Sequence, residues 1–183
     1  MVKKALLGKI CKIKEIKEIK EYSKERTEEY RYSLKGGGKG LKGYVNYTNC
    51  KKNTITITTG GTCGYVDFID EDFAITKGCL ALENVSKEVD TFYLYSFLKV
   101  IEPKIKSLAR GVCIKHLKKS EVEKIVIIYP DLEEQRRIIE VLSNFNKVIV
   151  TAEKEAERLK YLYRQTRRSL IINFYNSIRK ENN

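Results

Sequence analysis

The sequence predicts an α+β protein: a β-rich body over residues 1–130, then a helical region over residues 131–183. Three observations carry that prediction. Short β-branched and aromatic runs alternate with glycine clusters through the first half, the pattern of strands and turns. A long apolar-periodic pattern fills the C-terminal part, as in an extended helix. Pro130, one of only two prolines, separates the two patterns. At 183 residues, 42% apolar and 33% charged, the chain suits one domain plus an appendage, or two very small domains.

The elements follow in order. LLGKICKIKEIKEIKEYSKERTEEYRY sets Ile10, Ile13, Ile16 and Ile19 three apart among charged residues, a spacing open to a helix or an exposed strand. SLKGGGKGLKGYVNY (33–47), with five glycines and three lysines, reads as a loop leading into a strand. NTITITTGGTCGYVDFI (53–69) is the clearest strand–turn–strand pattern. Ile55 and Ile57 alternate with threonines, Gly60 and Gly61 supply the turn, and Tyr65, Val66 and Phe68 open the return strand. FAITKGCLAL (73–82) reads as one further strand. VDTFYLYSFLKVIEPKIKSL (89–108) reads as a helix with Phe92, Tyr95, Phe97, Leu98 and Ile101 on its apolar face, broken at Pro103. RGVCIKHL (110–117) is a loop with a short strand, and KSEVEKIVIIYP (119–130) a helical turn closing in the strand Ile125–Tyr129.

After Pro130, Asp131 is placed to cap a helix, and Glu133 and Glu134 fall in its first turn, where the macrodipole favours negative charge. Phe145, Ile149, Ala152, Ala156, Leu159, Tyr163, Thr166 and Leu170 then recur at alternating spacings of four and three. That is a coiled-coil seam, with Ile138 and Leu142 in the same register and charged residues outside it. Ser143 and Asn144, both good caps, are expected to divide the helix. A helix from 145 to about 178 is roughly 50 Å long and cannot bury its seam alone. The expectation is dimerisation through Phe145, Ile149, Ala152, Ala156, Leu159 and Tyr163, the two alanines allowing close approach.

Charge gives the direction of the function. Of the net +12, the first 130 residues carry +9, so the body suits a polyanion such as nucleic acid. Lys35, Lys39 and Lys42 sit on the glycine-rich stretch, flanked by Tyr44 and Tyr47; glycine lets backbone approach phosphates and lysine supplies charge. The glycines of TTGGTCG are explained by hairpin geometry. No apolar run has the length of a membrane span, and MVKKALLGKI does not read as a signal peptide. The five cysteines, Cys11, Cys50, Cys63, Cys79 and Cys113, are scattered and never in CxxC spacing, so buried thiols in a reducing cytoplasm are expected. Neither a metal site nor a cofactor is expected.

The ordered set Gly61-Thr62…Gly64, Arg110-Gly111, His116-Leu117 and Pro130-Asp131-Leu132-Glu133-Glu134-Gln135 resembles the specificity subunit of type I restriction–modification systems. The resemblance runs from Leu7 onward and covers one target recognition domain plus one conserved helical region. Family subunits usually carry two of each in one chain, so this chain resembles a half-subunit or an isolated half. The family usually has a second proline where Asp131 stands, a harmless change because Asp caps a helix.

The resemblance implies a reader of one half of a split double-stranded DNA target, non-catalytic itself. It further implies helices that set the spacing and dock a methyltransferase subunit, with or without a restriction subunit. It also puts the loops of Lys77, Arg110 and Lys115 near DNA. The Asn/Asp-Pro-Pro-aromatic methyltransferase signature, a Walker loop and a methyl-donor glycine loop are all missing from the sequence. His116, the one histidine, reads as a structural hydrogen-bonder. A second reading is a non-catalytic assembly or regulatory module on the same scaffold, binding nucleic acid without sequence preference.

Overall fold

The structure, a computed structural model, describes residues 2–111 and 115–181, with side chains to residue 172. Cys113 lies outside the described residues. The fold is α+β; among the described residues there are nine strands in three small sheets, four short helices and one long one.

A four-stranded antiparallel sheet in the order β2-β8-β5-β6 (Lys12–Glu15, Cys79–Glu83, Thr54–Thr58 and Val66–Ile69) carries the core. Its alternation explains how both faces are used. Leu80 and Leu82 of β8 and Ile55 and Ile57 of β5 enter the main core, where Leu94 and Leu98 of α2 (Thr91–Val100) are fully buried. Cys79 and Ala81 point the other way, into a smaller cluster with Cys50, Ile69, Phe73 and Ile75. The 53–69 hairpin forms as expected, with Ile55 opposite Phe68 and Ile57 opposite Val66.

Several elements differ from the sequence reading. The opening stretch is neither one helix nor one strand. It forms β1 (Lys3–Leu6), a single helical turn α1 (Leu7–Ile10) and β2, then irregular chain that bridges through Ser23 to Tyr44. Residues 33–47 form a hairpin of β3 (Tyr32–Lys35) and β4 (Leu41–Val45), so a strand precedes the glycine loop as well as following it. The expected strand 73–82 is two: β7 (Ala74–Ile75) joins β3 in parallel, and β8 joins the larger sheet. The switch occurs at Gly78, whose φ of 91° is open to glycine at little cost.

The expected helix 89–108 divides at Ile101 into α2 and α3 (Glu102–Ser107), because Pro103 falls in the first turn of α3, where its missing N–H costs nothing. Asp90 caps α2, accepting from Phe92 N at 2.8 Å and Tyr93 N at 3.2 Å. A short strand is expected in 110–117; residues 112–114 lie outside the described residues, and among the others Arg110 and His116 form an isolated bridge.

The body closes where β1 pairs with β9 (Val126–Tyr129) after the short helix α4 (Lys119–Glu123), both near the positions expected for a helical turn and a strand. Helix α5 (Leu132–Glu181) then starts at the predicted cap, with Glu134 N donating to Asp131 Oδ1 at 3.1 Å. Gln135, fully buried, fastens this first turn. Its Oε1 accepts from Asp90 N at 2.8 Å, and its Nε2 donates to Glu88 O at 2.9 Å and Pro130 O at 2.8 Å. The first compact unit accordingly runs to Ile138 and the second covers Ile139–Asn183. Ser143 and Asn144 do not divide α5; both are helical. At 1.5 Å per residue its 50 residues make about 75 Å of helix. No helix among the described residues is long and apolar enough to cross a membrane.

Candidate nucleic-acid interface

Three turns meet in the body: residues 36–40 between β3 and β4, residues 59–65 between β5 and β6, and residues 76–78 between β7 and β8. Gly37 O accepts from Thr62 N at 2.9 Å, and Gly78 O accepts from Thr59 N at 2.7 Å. The glycines are set by this contact. A Cβ on Gly37 would come within 2.9 Å of the Gly60 carbonyl, and one on Gly61 within 2.8 Å of Gly37 O. Gly61 of TTGGTCG thus answers to a neighbouring loop, and Gly64 to the backbone of Lys106, beyond the hairpin geometry expected of them. A fourth segment joins at the same place: Leu117 N donates to Thr59 O at 3.0 Å, and Cys63 Sγ lies 2.9 Å from Lys115 O.

This junction brings together loops that lie far apart in sequence, and all of them except the 59–65 turn carry a cation. Lys39, Lys77, Arg110 and Lys115 are all exposed, and none makes an ion pair with a described residue. Such a group of uncompensated charges on glycine-bound loops can hold a polyanion backbone.

The other expected contacts are placed differently. Lys35 is on β3, not on the loop, and pairs with Asp67 at 2.8 Å with its side chain only 14% exposed. Lys42 is on β4, 3.5 Å from Glu18 and above the Tyr22 ring. Tyr44 is half-buried and exchanges backbone hydrogen bonds with Ser23, whereas Tyr47 is exposed. His116 exchanges backbone hydrogen bonds with Arg110 at 2.8 and 3.0 Å.

Sequence reasoning missed a group beside the junction. Tyr65 has two lysines over its ring, Lys39 at 5.6 Å and Lys99 at 4.8 Å from the centroid. Lys99 donates to Glu102 at 2.5 Å and to Val66 O at 3.2 Å, and Lys106 also pairs with Glu102. Burial alone would raise the Glu102 pKa. Hydrogen bonds from Lys106, Lys99 and Val66 N outweigh it and bring the carboxyl down to about 2. The signal available was the polar face of the 89–108 helix pattern, where Lys99, Glu102 and Lys106 recur at spacings of three and four.

The four described cysteines are all enclosed in the body. Cys11, Cys50, Cys63 and Cys79 are buried and unpaired, and desolvation pushes the Cys11 and Cys79 thiols up to about 12. Among the described residues no cluster of His, Cys, Asp and Glu is arranged to hold a metal ion.

In the second unit the expected seam is exposed: Phe145 65%, Ile149 53%, Leu159 63% and Tyr163 66%, with Ala152 and Ala156 also at the surface. At 100° per residue these six share one stripe.

Comparison with known proteins gives one consistent result. The type I restriction modification DNA specificity domain matches residues 2–161. A Mycoplasma pneumoniae protein described as a type I specificity subunit is 36% identical over 118 residues, 63% of this chain and 32% of that protein. The MjaVIII type I restriction enzyme specificity subunit of Methanocaldococcus jannaschii is 32% identical over 120 residues, 63% of this chain and 28% of the relative. The chain therefore spans about a third of the length of these curated relatives. The crystal structure of a type I restriction–modification S subunit from M. genitalium superposes with a TM-score of 0.72 at 26% identity, over 80% of this chain and 39% of that one.

Proposed function

Because the chain belongs to the type I restriction modification DNA specificity domain family, we propose that it is a sequence-specific DNA-binding half-subunit, working in the cytoplasm where such systems meet DNA. It reads half of a split duplex target and directs a separate methyltransferase subunit to it, with or without a restriction subunit. It performs no chemistry itself. The observation that carries this reading is the junction: the 59–65 turn binds three other segments distant in sequence, which carry the exposed cations Lys39, Lys77, Arg110 and Lys115, in a body of this family. Lys39, Lys77, Arg110 and Lys115 hold phosphates, and Arg110 also has the bidentate geometry to grip a guanine edge.

The exposed seam of α5 supports the second part of the reading. Two copies pair through it in antiparallel fashion as a closed two-fold dimer, and α5 sets the distance between the two readers. Two identical readers so related prefer an inverted repeat interrupted by a fixed spacer.

The test is target selection from random duplexes followed by salt-titrated binding of the full chain. Specific recognition gives a ratio of at least ~10³ over random duplex and a selected inverted repeat. Equal affinity for all duplexes would instead support a non-specific assembly or regulatory module. Methyl transfer by the isolated chain supplied with S-adenosylmethionine would refute the non-catalytic assignment.

A further inference from the structure

We propose that Tyr65 is a positioning residue for DNA binding: its ring holds the Lys39 ammonium in place, so that a loop of glycines presents a fixed cation to a phosphate. The inference rests on the DNA-binding reading above and adds a residue to it that contacts no base and carries no charge.

The argument starts from the loop. Lys39 stands in Gly36-Gly37-Gly38-Lys39-Gly40, the most permissive backbone in the chain. Only the Gly37 end is fastened, to Thr62 and against Gly60; a Cβ on Gly38 or Gly40 would meet nothing within 4 Å. A long side chain in such a place loses much rotamer freedom when it grips a phosphate, which weakens the contact. The Lys39 ammonium is nevertheless located, 5.6 Å from the Tyr65 ring centroid.

The ring is held from the body side. Lys99 of α2 lies 4.8 Å from the same centroid and is itself fixed by Glu102 and Val66 O. Tyr65 N donates to Thr62 O, within the turn that binds Gly37. So a rigid path runs from buried Glu102 through Lys99 and Tyr65 to Lys39.

The charge count favours hand-over to an anion. Glu102 already has two lysines, and no carboxylate among the described residues pairs with Lys39. A π-face attracts an exposed ammonium weakly compared with a phosphate. The ring therefore places Lys39 without competing with DNA for it.

The experiment measures the salt dependence of binding by the full chain to a random-sequence duplex, where only backbone contacts count. Removing one phosphate contact flattens the log–log slope by about 0.9. Lys39→Ala should do this, and Tyr65→Leu should do nearly the same while Tyr65→Phe keeps the wild-type slope. In the Lys39→Ala background Tyr65→Leu should change nothing further, since it acts through Lys39. Tyr65→Met, which keeps apolar volume without a π-face, repeats the test if Tyr65→Leu does not fold. An unchanged slope in Tyr65→Leu or Tyr65→Met, with wild type binding normally, would overturn the proposal. So would an equal drop when Lys39 is already alanine. Absence of any wild-type binding would overturn the DNA-binding reading and this inference with it.

Discussion

In the body, Ile55, Ile57, Leu80 and Leu82 are 0–2% exposed, whereas on α5 Phe145, Ile149, Leu159 and Tyr163 are 53–66% exposed. Both regions have apolar residues at regular spacing, so periodicity alone does not say where a hydrophobic face is buried. The sheet residues meet α2 and the strands of their own chain, and the body completes its core by itself. The α5 stripe is exposed in the single chain, and among the described residues the helix's ion pairs, such as Lys160–Glu157, lie at the surface. Exposed pairs of that kind contribute little to stability. On the pairing proposed above, a helix of about 75 Å with an open apolar stripe would draw most of its stability from association.

The strongest way to break this contrast is in the body. Phe73 is fully buried in the smaller core cluster, and its backbone exchanges hydrogen bonds with Cys50 at 3.0 and 3.1 Å. Phe73→Ala should destabilise the body by about 3–5 kcal/mol, seen as a lower urea midpoint followed by body tyrosine signals. On α5 the corresponding change is Leu159→Glu. It should leave the urea midpoint of the body unchanged and weaken dimerisation by about 2–4 kcal/mol, a shift to monomer in sedimentation at micromolar concentration. A stable wild-type monomer at that concentration would remove the dimer from the reading.

The third prediction sits where the two regions join in sequence. Gln135 is the buried polar anchor of the α5 first turn, with three hydrogen bonds to Asp90, Glu88 and Pro130. Gln135→Ala leaves those backbone groups without partners and should cost about 1–3 kcal/mol. Hydrogen exchange should show faster opening at the start of α5 and at the α2 cap, with little change at the centre of β5.

These residues also mark how much was legible in the sequence. The β5–β6 hairpin, the helical stretch of α2, β9 and the Asp131 helix start were readable because each is specified locally, by alternation, an apolar face, a cap or a proline. The division of residues 73–82 between two sheets was not, because it depends on which sheet each half pairs with. Ser143 and Asn144 suggested a break through their capping preference, yet propensity is weak against a continuing helix. At the candidate site, the glycine-rich loop was legible as permissive backbone, and the loops of Lys77, Arg110 and Lys115 came in only through the family resemblance. Their meeting at Gly37, Gly60, Gly61 and Gly78 was not, since a loop–loop contact leaves no period in the sequence. Lys35 reads as a loop cation from its neighbours, but Asp67, thirty-two positions on, makes it a structural one.

The smallest effect expected is also the most specific to the body. Glu102 is nearly buried, its side chain 9% exposed, and its carboxyl is brought from the ordinary 4.5 to about 2. A folded pKa below the unfolded one means the stabilisation is fully present above about pH 4.5. It is lost as pH falls toward 2, because the unfolded chain takes up the proton first. The contribution is on the order of 1–3 kcal/mol, and Glu102→Gln should flatten the fall in body stability across that window. Asp72 and Asp131, whose carboxyls are also lowered, chiefly by backbone hydrogen bonds from Lys52 and Glu134, remain in the variant and keep part of the slope. Added salt should weaken the Glu102 contribution less than the surface pairs along α5, since the carboxylate is nearly buried while Lys99 and Lys106 are partly exposed. Melting curves of wild type and Glu102→Gln between pH 2 and 6, at low and high salt, measure this directly. Parallel curves for the two proteins would mean that the Glu102 cluster does not hold the body together at this point. The fixed path to Lys39 would then lose its anchor.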